Sequence, residues 1–281
     1  MVLSLMGFLQ RRTLPGFKLA MGMTLMGLSI LILLPIAFLG MKASEMSWHT
    51  FLSLAFSPRA MAAYRLSIEI SLIAALLNTF VGTLMAWVFV RYSFPGKSFF
   101  YAMIDLPIAL PTSVAGIALT ALYSSNGWLG QWFERAGIQV SYTPLGILVA
   151  LMFVQFPFVV RAVQPVLADL QVELEEASCT LGATRWQTIW HVLFPEIRPA
   201  MLTGFAMALA RGLGEYGSVI FIAGNLPFRT EIAPLLMVVR LEEFDYAGAS
   251  AMAVIMLLFA FLLLMVINLI QKWAAHFQYE M

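Results

Sequence analysis

Two residues of opposite charge, Arg211 and Glu215, lie within a stretch of the chain that is otherwise apolar. At a spacing of i, i+4 their side chains would share one face of a helix. A charge at the centre of a bilayer costs roughly 2.5–3.5 kcal/mol on insertion scales, so such residues usually face a bundle interior or a water-filled path. The pair predicts either an anion pathway lined by Arg211 or a structural ion pair, and the two roles are compatible. Glu69 and Asn78 are secondary candidates of the same kind.

A second candidate anion site follows two prolines, Pro107 and Pro111, in another apolar stretch. Proline lacks a backbone N–H and breaks a helix interior, so a new helical segment is predicted to begin near Thr112 and Ser113. The free N–H groups and the dipole at a helix N-terminus favour an anion. The alternative is a simple proline kink that packs against neighbouring helices.

The sequence shows none of the catalytic motifs that were sought. It contains no Gly-x4-Gly-Lys-Ser/Thr phosphate loop, no nucleophile elbow and no His-Glu-x-x-His metal motif. The histidines His49, His191 and His276 lie far apart, and Cys179 is the one cysteine, so an intramolecular disulfide is excluded. We therefore predict that the chain is not an enzyme by itself and binds no cofactor or metal.

The composition is typical of a polytopic membrane protein. Of 281 residues, 61% are hydrophobic and 11% are charged, and the mean hydropathy is +0.88, whereas a soluble domain usually carries about 25% charge. The net charge of +1 gives no indication of nucleic-acid binding. A bilayer core needs about 20 apolar residues per helix. Six stretches approach that length: 19–41, 66–90, 101–123, 144–160, 199–223 and 247–270. The sequence predicts an all-α fold with six transmembrane helices.

Lysine and arginine are unevenly distributed between the two sides of these spans. With the N-terminus inside, nine face the cytoplasm and six face outward, which is the bias that orients membrane proteins. The nine are Arg11, Arg12, Lys18, Arg91, Lys97, Arg161, Arg185, Arg198 and Lys272, and the six are Lys42, Arg59, Arg65, Arg135, Arg229 and Arg240. Both termini are then predicted to be cytoplasmic. We divide the chain into residues 1–60, with the first span and an outer loop, and a core of residues 61–275.

The segment 167–195, on the predicted cytoplasmic side between the fourth and fifth spans, contains a polar, acidic island. Apolar residues at i, i+4, i+7 and i+11 predict a helix over 167–181. These residues are Leu170, Leu174, Ala177 and Leu181. Gly182 follows as a helix stop, because glycine tolerates the left-handed conformation. Thr184 with Gln187 predicts a capping box that opens a second helix, whose apolar face includes Trp186 and which ends at Pro195.

This helix–turn–helix segment could lie on the membrane surface or bind a protein. Amphipathic helices on membranes usually carry lysine and arginine on their polar face. Here the polar edge is acidic, with Asp169, Glu173, Glu175 and Glu176. Anionic lipid would repel such an edge, so the segment favours docking of a soluble protein partner.

At this point the sequence resembles the permease subunits of binding-protein-dependent ABC importers. Those carry the pattern E-A-A-x3-G-x9-I-x-L-P, whose positions are occupied here by Glu176, Ala177, Ser178, Gly182, Val192, Phe194 and Pro195. Glu176, Ala177, Gly182 and Pro195 match the pattern. Ser178, Val192 and Phe194 depart from the pattern by mild changes of size. The resemblance implies a type I permease fold whose 167–195 loop sits in a cleft of an ATP-hydrolysing subunit. Leu174, Trp186 and the matching Glu176, Ala177, Gly182 and Pro195 would then couple ATP hydrolysis to transport.

Nearly the whole chain is similar to the T-type sulfate/thiosulfate permeases within that family. The resemblance is carried by the segments 12–17, 91–96, 105–107, 158–167, 211–217, 219–225 and 239–246. It implies two related permeases, an ATP-binding subunit dimer that holds ATP and magnesium, and a periplasmic sulfate-binding protein, assembled in the inner membrane of a bacterium and surrounded by lipid. Arg211, Glu215, Thr112 and Ser113 are the candidate substrate-pathway residues.

Three alternatives remain open from the sequence. The same machine could carry another oxyanion such as molybdate. A proton-coupled secondary transporter could use Glu215 as its proton carrier. A membrane anchor without transport would leave uptake intact after substitution of Arg211.

Overall fold

The computed structural model describes residues 16–278, and it describes side chains for 16, 17 and 19–271. Arg11, Arg12 and the side chains of Lys18 and Lys272, which the charge count uses, lie outside this part. The described residues form helices and no strand. In chain order these are α1 (Phe17–Leu28), α2 (Leu34–Ser44), α3 (Trp48–Ala55), α4 (Pro58–Arg91), α5 (Lys97–Ala109), α6 (Thr112–Tyr123), α7 (Gly130–Arg135), α8 (Pro144–Asp169), α9 (Val172–Thr180), α10 (Arg185–Thr188), α11 (Phe194–Leu213), α12 (Gly217–Ala223), α13 (Ala233–Glu242) and α14 (Tyr246–Gln278).

Two pairs of helices are joined without a break by π-helical turns. Ser29–Leu33 joins α1 to α2, and Ile189–Leu193 joins α10 to α11. Within the described residues, five segments are long and apolar enough to cross a bilayer, and they run Leu19–Ser44, Pro58–Arg91, Pro144–Asp169, Arg185–Leu213 and Tyr246–Gln271. Helices α5 and α6 make a sixth span if they are taken as one broken span. The predicted all-α, six-span architecture is confirmed.

The third span is broken at Pro111, as predicted, whereas Pro107 lies inside α5 and does not break it. Helix α5 ends at Ala109 and α6 begins at Thr112, with an angle of 113° between the two. The carbonyl of Pro111 accepts the first hydrogen bonds of α6, from the N–H groups of Val114 and Ala115. Proline lacks the N–H that would continue α5, so the chain turns at this point and starts a new helix.

The fifth span differs from the prediction at both of its ends. A single helix over 199–223 is wrong, because α11 stops at Leu213 and α12 starts only at Gly217. Pro195 does not end the second helix of the loop, since Arg185–Leu213 is one continuous helix of 29 residues. The π turn before Pro195 shifts the hydrogen-bond pattern by one residue and accommodates the proline ring.

Helices α4, α8 and α11 pack together as the centre of the bundle. Val159 of α8 is fully buried, and a glycine faces it from each neighbour. A Cβ at Gly82 of α4 would lie 2.9 Å from its Cγ1, and one at Gly204 of α11 would lie 3.0 Å from its Cα. Small residues let helix backbones approach closely in a bilayer, where association depends on packing. This tight core positions the breaks and the loop described next. The boundary at residue 60 stays a prediction.

Candidate functional site

Helices α9 and α10 with the turn between them form a hairpin of residues 172–188, hereafter the hairpin. Gly182 has a φ of +82°, in the left-handed region. Its N–H donates to the Cys179 carbonyl at 3.0 Å, and the Ala183 N–H donates to the Ser178 carbonyl at 3.0 Å. These two bonds define a Schellman motif, so Gly182 ends α9 as the sequence predicts.

The second arm of the hairpin begins with the predicted capping box. The Gln187 N–H donates to Thr184 Oγ1 at 3.4 Å, and the Thr184 N–H donates to Gln187 Oε1 at 2.8 Å. Each side chain satisfies one of the backbone groups that a helix start leaves open. The entry into α10 is therefore fixed by local hydrogen bonds.

The first helix of the loop starts later than predicted. Residue 167 belongs to α8, where Leu167 is 1% exposed and packs in the core. Helix α8 ends at Asp169, and Leu170 and Gln171 are extended, with ψ of 122° and 126°. Contrary to the sequence prediction, Leu170 is therefore not part of the apolar face of α9. Because Leu167 is buried in the core, residues 167–169 belong to the fourth span, α8.

The two arms of the hairpin meet through small polar side chains. Ser178 and Thr188 are 7% and 6% exposed, and their hydroxyl oxygens lie 2.8 Å apart. Ser178 stands where the family pattern has its second alanine. The hydroxyl that this serine adds makes the hydrogen bond between the two arms of the hairpin. Sequence reasoning missed this contact, because residues ten apart give no local signal of pairing.

The apolar side chains of the hairpin face outward instead. Leu181 and Trp186 are 88% and 68% exposed, Leu174 is 39% exposed, and Glu176 and Ala177 are exposed beside them. Pro195 is half-buried in the continuous fifth span and does not lie on this surface. Exposed apolar surface rimmed by polar residues is typical of an interaction site. The hairpin thus presents an exposed, partly apolar surface, and its docking role stays a prediction.

Arg211 and Glu215 form the predicted ion pair, but they do not share a helix. Arg211 is in the last turn of α11, and Glu215 lies in the gap before α12. Arg211 Nη1 is 2.6 Å from Glu215 Oε2, with the side chains 34% and 1% exposed. Glu215 Oε1 also accepts hydrogen bonds from the Ser218 N–H and hydroxyl, each at 2.9 Å. The buried carboxylate is satisfied on both oxygens, while the arginine is partly open.

The break in the fifth span meets the break in the third. A Cβ at Gly217 would lie 2.2 Å from Thr112 Oγ1 and 3.2 Å from the backbone nitrogen of Ser113. The first residues of α6 and α12 therefore touch without a side chain between them. All four predicted pathway residues, Arg211, Glu215, Thr112 and Ser113, come together around these two breaks.

The break lies at mid-depth in the bundle, beside Gln155, which sequence reasoning missed, and Asn78, which it named as a secondary candidate. A Cβ at Gly212 would lie 1.8 Å from Gln155 Nε2, and Gln155 is about halfway along α8. The amide Nδ2 of Asn78 donates to Gln155 Oε1 at 3.4 Å, and both residues are buried. Gln155 is the one polar residue of the apolar stretch 144–160. A polar residue within a membrane span usually faces the bundle interior or a water-filled path, so the sequence could have indicated Gln155 as a candidate. Glu69 pairs instead with the exposed Arg65 at 2.7 Å.

Substituting Gly116 tests the contact between α6 and α12. A Cβ there would lie 2.5 Å from the Ser218 carbonyl oxygen and 2.9 Å from its Cα, so Gly116→Ala should destabilise by about 1–3 kcal/mol through overpacking. Helix propensity alone predicts the opposite sign, because glycine costs roughly 0.5–1 kcal/mol relative to alanine in a helix. Thermal unfolding of the purified protein in detergent measures the effect.

The matched control for Gly116→Ala is Gly22→Ala, in α1. Gly22 is also helical, but a Cβ there would meet nothing within 4 Å. We expect this control to leave the unfolding temperature unchanged or to raise it slightly. Equal unfolding temperatures for the two variants would contradict the close approach of α6 and α12.

Comparison with known proteins agrees with this geometry. Residues 78–276 match the family described as binding-protein-dependent transport system inner membrane component. The sulfate transport system permease protein CysT of Escherichia coli K12 is 48% identical over 262 residues, which cover 93% of this chain and 95% of that protein. The probable sulfate transport system permease protein of Nephroselmis olivacea is 50% identical over 252 residues, which cover 90% and 89%. A crystal structure of a bacterial ABC transporter for alginate import aligns with a TM-score of 0.76 at 16% identity, covering 92% of this chain and 96% of that one.

The six-span bundle with its exposed hairpin has the permease fold of type I ABC importers. The chain belongs to the family of binding-protein-dependent transport system inner membrane components. The resemblance drawn from Glu176, Gly182 and the flanking segments is thereby confirmed at the level of the family. The roles of individual residues in coupling and in the pathway stay predictions.

Proposed function

We propose that this permease imports sulfate, and thiosulfate with it, in an ATP-driven ABC importer. The observation that carries the proposal is the 48% identity to a sulfate permease over nearly the full length of both chains. The break at mid-bundle supports it, since Arg211 is partly open there and can bind an oxyanion through several N–H donors.

The other subunits follow from what this chain presents. The sequence has no phosphate loop, so ATP and magnesium belong to a dimer of ATPase subunits that dock on the hairpin. A second, related permease completes the membrane part, and a periplasmic sulfate-binding protein delivers the anion. The hairpin and both termini then face the cytoplasm of the bacterial cell, and lipid surrounds the spans.

Closure of the ATPase dimer would push on the hairpin and open the spans outward, which is alternating access. The second arm of the hairpin is connected directly to the fifth span, because the helix Arg185–Leu213 runs without a break from the hairpin to Arg211. At 1.5 Å per residue, such a helix is about 43 Å long. A push at its first turn therefore reaches the gap before Gly217, where α6 and α12 meet.

In the closed state Glu215 neutralises Arg211. An anion that enters from outside competes with Glu215 for the guanidinium, while Thr112 and Ser113 offer hydroxyl and backbone N–H donors from the start of α6.

Import of the anion requires an energy source such as ATP hydrolysis. Moving one charge through 100 mV is worth about 2.3 kcal/mol, so a dianion entering a negative-inside cell works against roughly twice that.

Uptake of labelled sulfate into proteoliposomes that contain all subunits tests the proposal. We expect accumulation only with ATP on the hairpin side, with no loss when a protonophore collapses the proton gradient, because the driving force comes from hydrolysis. Uptake that needs the proton gradient and no ATP would instead support a secondary transporter. Excess unlabelled molybdate as competitor decides between sulfate and another oxyanion.

A further inference from the structure

The two arms of the hairpin are attached to the bundle in different ways. Helix α10 continues into the fifth span as one rigid rod. Helix α9 is separated from α8 by Leu170 and Gln171, whose extended backbones interrupt the helical hydrogen bonds. The covalent link from α9 to the fourth span is therefore a joint, and something else must fix the position of α9.

An ion pair ties α9 to the second span. Arg91, the last residue of α4, contacts Glu175 of α9 through Nη2 and Oε1. The two side chains are 21% and 29% exposed, and the contacting atoms are covered by protein with no other polar partner among the described residues. The Arg91 guanidinium also lies 5.3 Å from the centre of the Trp87 ring, in cation–π contact. Arg91 is thus held between its own helix and the hairpin.

Among the described residues, no ion pair or side-chain hydrogen bond joins the other arm, α10, to α4. An apolar cavity of about 390 Å³ separates the two, and it is lined by Trp87, Leu84, Trp186 and Trp190, among other residues. Apolar side chains around open space transmit little force, because attraction falls steeply when surfaces are not in contact. The Arg91–Glu175 pair is therefore the polar contact that joins the hairpin to the second span.

We infer that Arg91 and Glu175 are positioning residues that pass movement of the hairpin to the second span. This rests on the proposed function, in which the ATPase subunits move the hairpin. A push on α10 reaches the fifth span through a continuous helix, and this pair connects α9 directly to α4. Because α4 and α11 pack together at the core, both must move together for the bundle to rearrange.

The test uses the complete transporter in proteoliposomes and measures sulfate taken up per ATP hydrolysed. Glu175→Gln and Arg91→Gln each remove one charge and leave the partner charge half-buried and unpaired, which is costly. We expect the ATPase subunits to stay bound and to hydrolyse ATP, while uptake per ATP falls about tenfold, the order expected for loss of one charge-assisted contact. The reciprocal exchange, R91E with E175R, should restore most of the coupling.

The control is Glu196→Gln, which removes the same charge from the first turn of α11, outside the hairpin. Glu196 is exposed and has no ion pair among the described residues, so the coupling of this variant should match that of the unmodified protein. Three results would overturn the inference: normal coupling in Glu175→Gln, an exchanged pair as uncoupled as the single variants, or release of the ATPase subunits by Glu175→Gln alone, which would make Glu175 a docking residue. Failure of the unmodified transporter to take up sulfate with ATP would instead refute the proposed function.

Discussion

Replacing Gly182 by proline is expected to release the ATPase subunits from the purified complex and to abolish ATP-driven sulfate uptake. Proline fixes φ near −65°, and Gly182 needs +82°. The substitution also removes the N–H that donates to the Cys179 carbonyl at 3.0 Å. The Schellman turn cannot form under these conditions, so the two arms lose their relative orientation and with it the shape of the docking surface. Co-purification of the ATPase subunits measures the effect.

Two further substitutions separate loss of the turn from general damage. Gly137→Pro is the matched control, because Gly137 has a φ of +76°, donates its N–H to Glu134, and lies in a different loop. It should leave the ATPase subunits bound. Gly182→Ala should weaken their binding by about fivefold or more, since an L-residue pays roughly 1–2 kcal/mol in the left-handed region, and a Cβ there meets nothing within 4 Å. A proline at 182 that leaves the complex intact and coupled would refute the docking role of the hairpin.

The hairpin shows which features a sequence can predict. Gly182 and the capping box of Thr184 and Gln187 are local devices, in which residues within a few positions satisfy each other's backbone groups, and both are where the sequence indicates. The start of α9 is not local. It depends on Leu167, which is held in the core by residues of other helices, and the periodicity of 167–181 carries no information about that packing.

The mid-bundle break shows the same contrast between local features, which the sequence predicts, and long-range contacts, which it does not. Pro111 predicts where the third span breaks, because a missing N–H is a property of one residue. The break after Leu213 was missed. Glu215 lies outside the helix and accepts hydrogen bonds from the N–H and hydroxyl of Ser218 in α12, but its spacing from Arg211 fits one face of a helix equally well. The contact of Gly217 with Thr112 joins positions more than a hundred residues apart. No pattern within a single sequence predicts such a contact.

Arg211→Ala is expected to reduce sulfate uptake strongly, and a second substitution shows why. Alone, it strands the Glu215 carboxylate, which is 1% exposed, and breaking a buried pair costs about 3–5 kcal/mol. Glu215→Gln removes that charge and keeps an oxygen that accepts from Ser218. The double variant R211A/E215Q therefore has no buried charge to strand, and it should regain the amount of folded protein in the membrane.

The double variant isolates the role of Arg211 toward the anion. If Arg211 binds the substrate, uptake stays low in R211A/E215Q although the protein folds, because a hydrogen bond to a charged group is worth about 1.5–3 kcal/mol, or roughly 10- to 150-fold in affinity. In Glu215→Gln alone, no carboxylate competes with sulfate for Arg211. This variant should therefore bind sulfate more tightly and release it more slowly. A double variant that transports as well as Glu215→Gln would leave Arg211 a structural role only, and the pathway would then have to depend on Thr112, Ser113 and their neighbours.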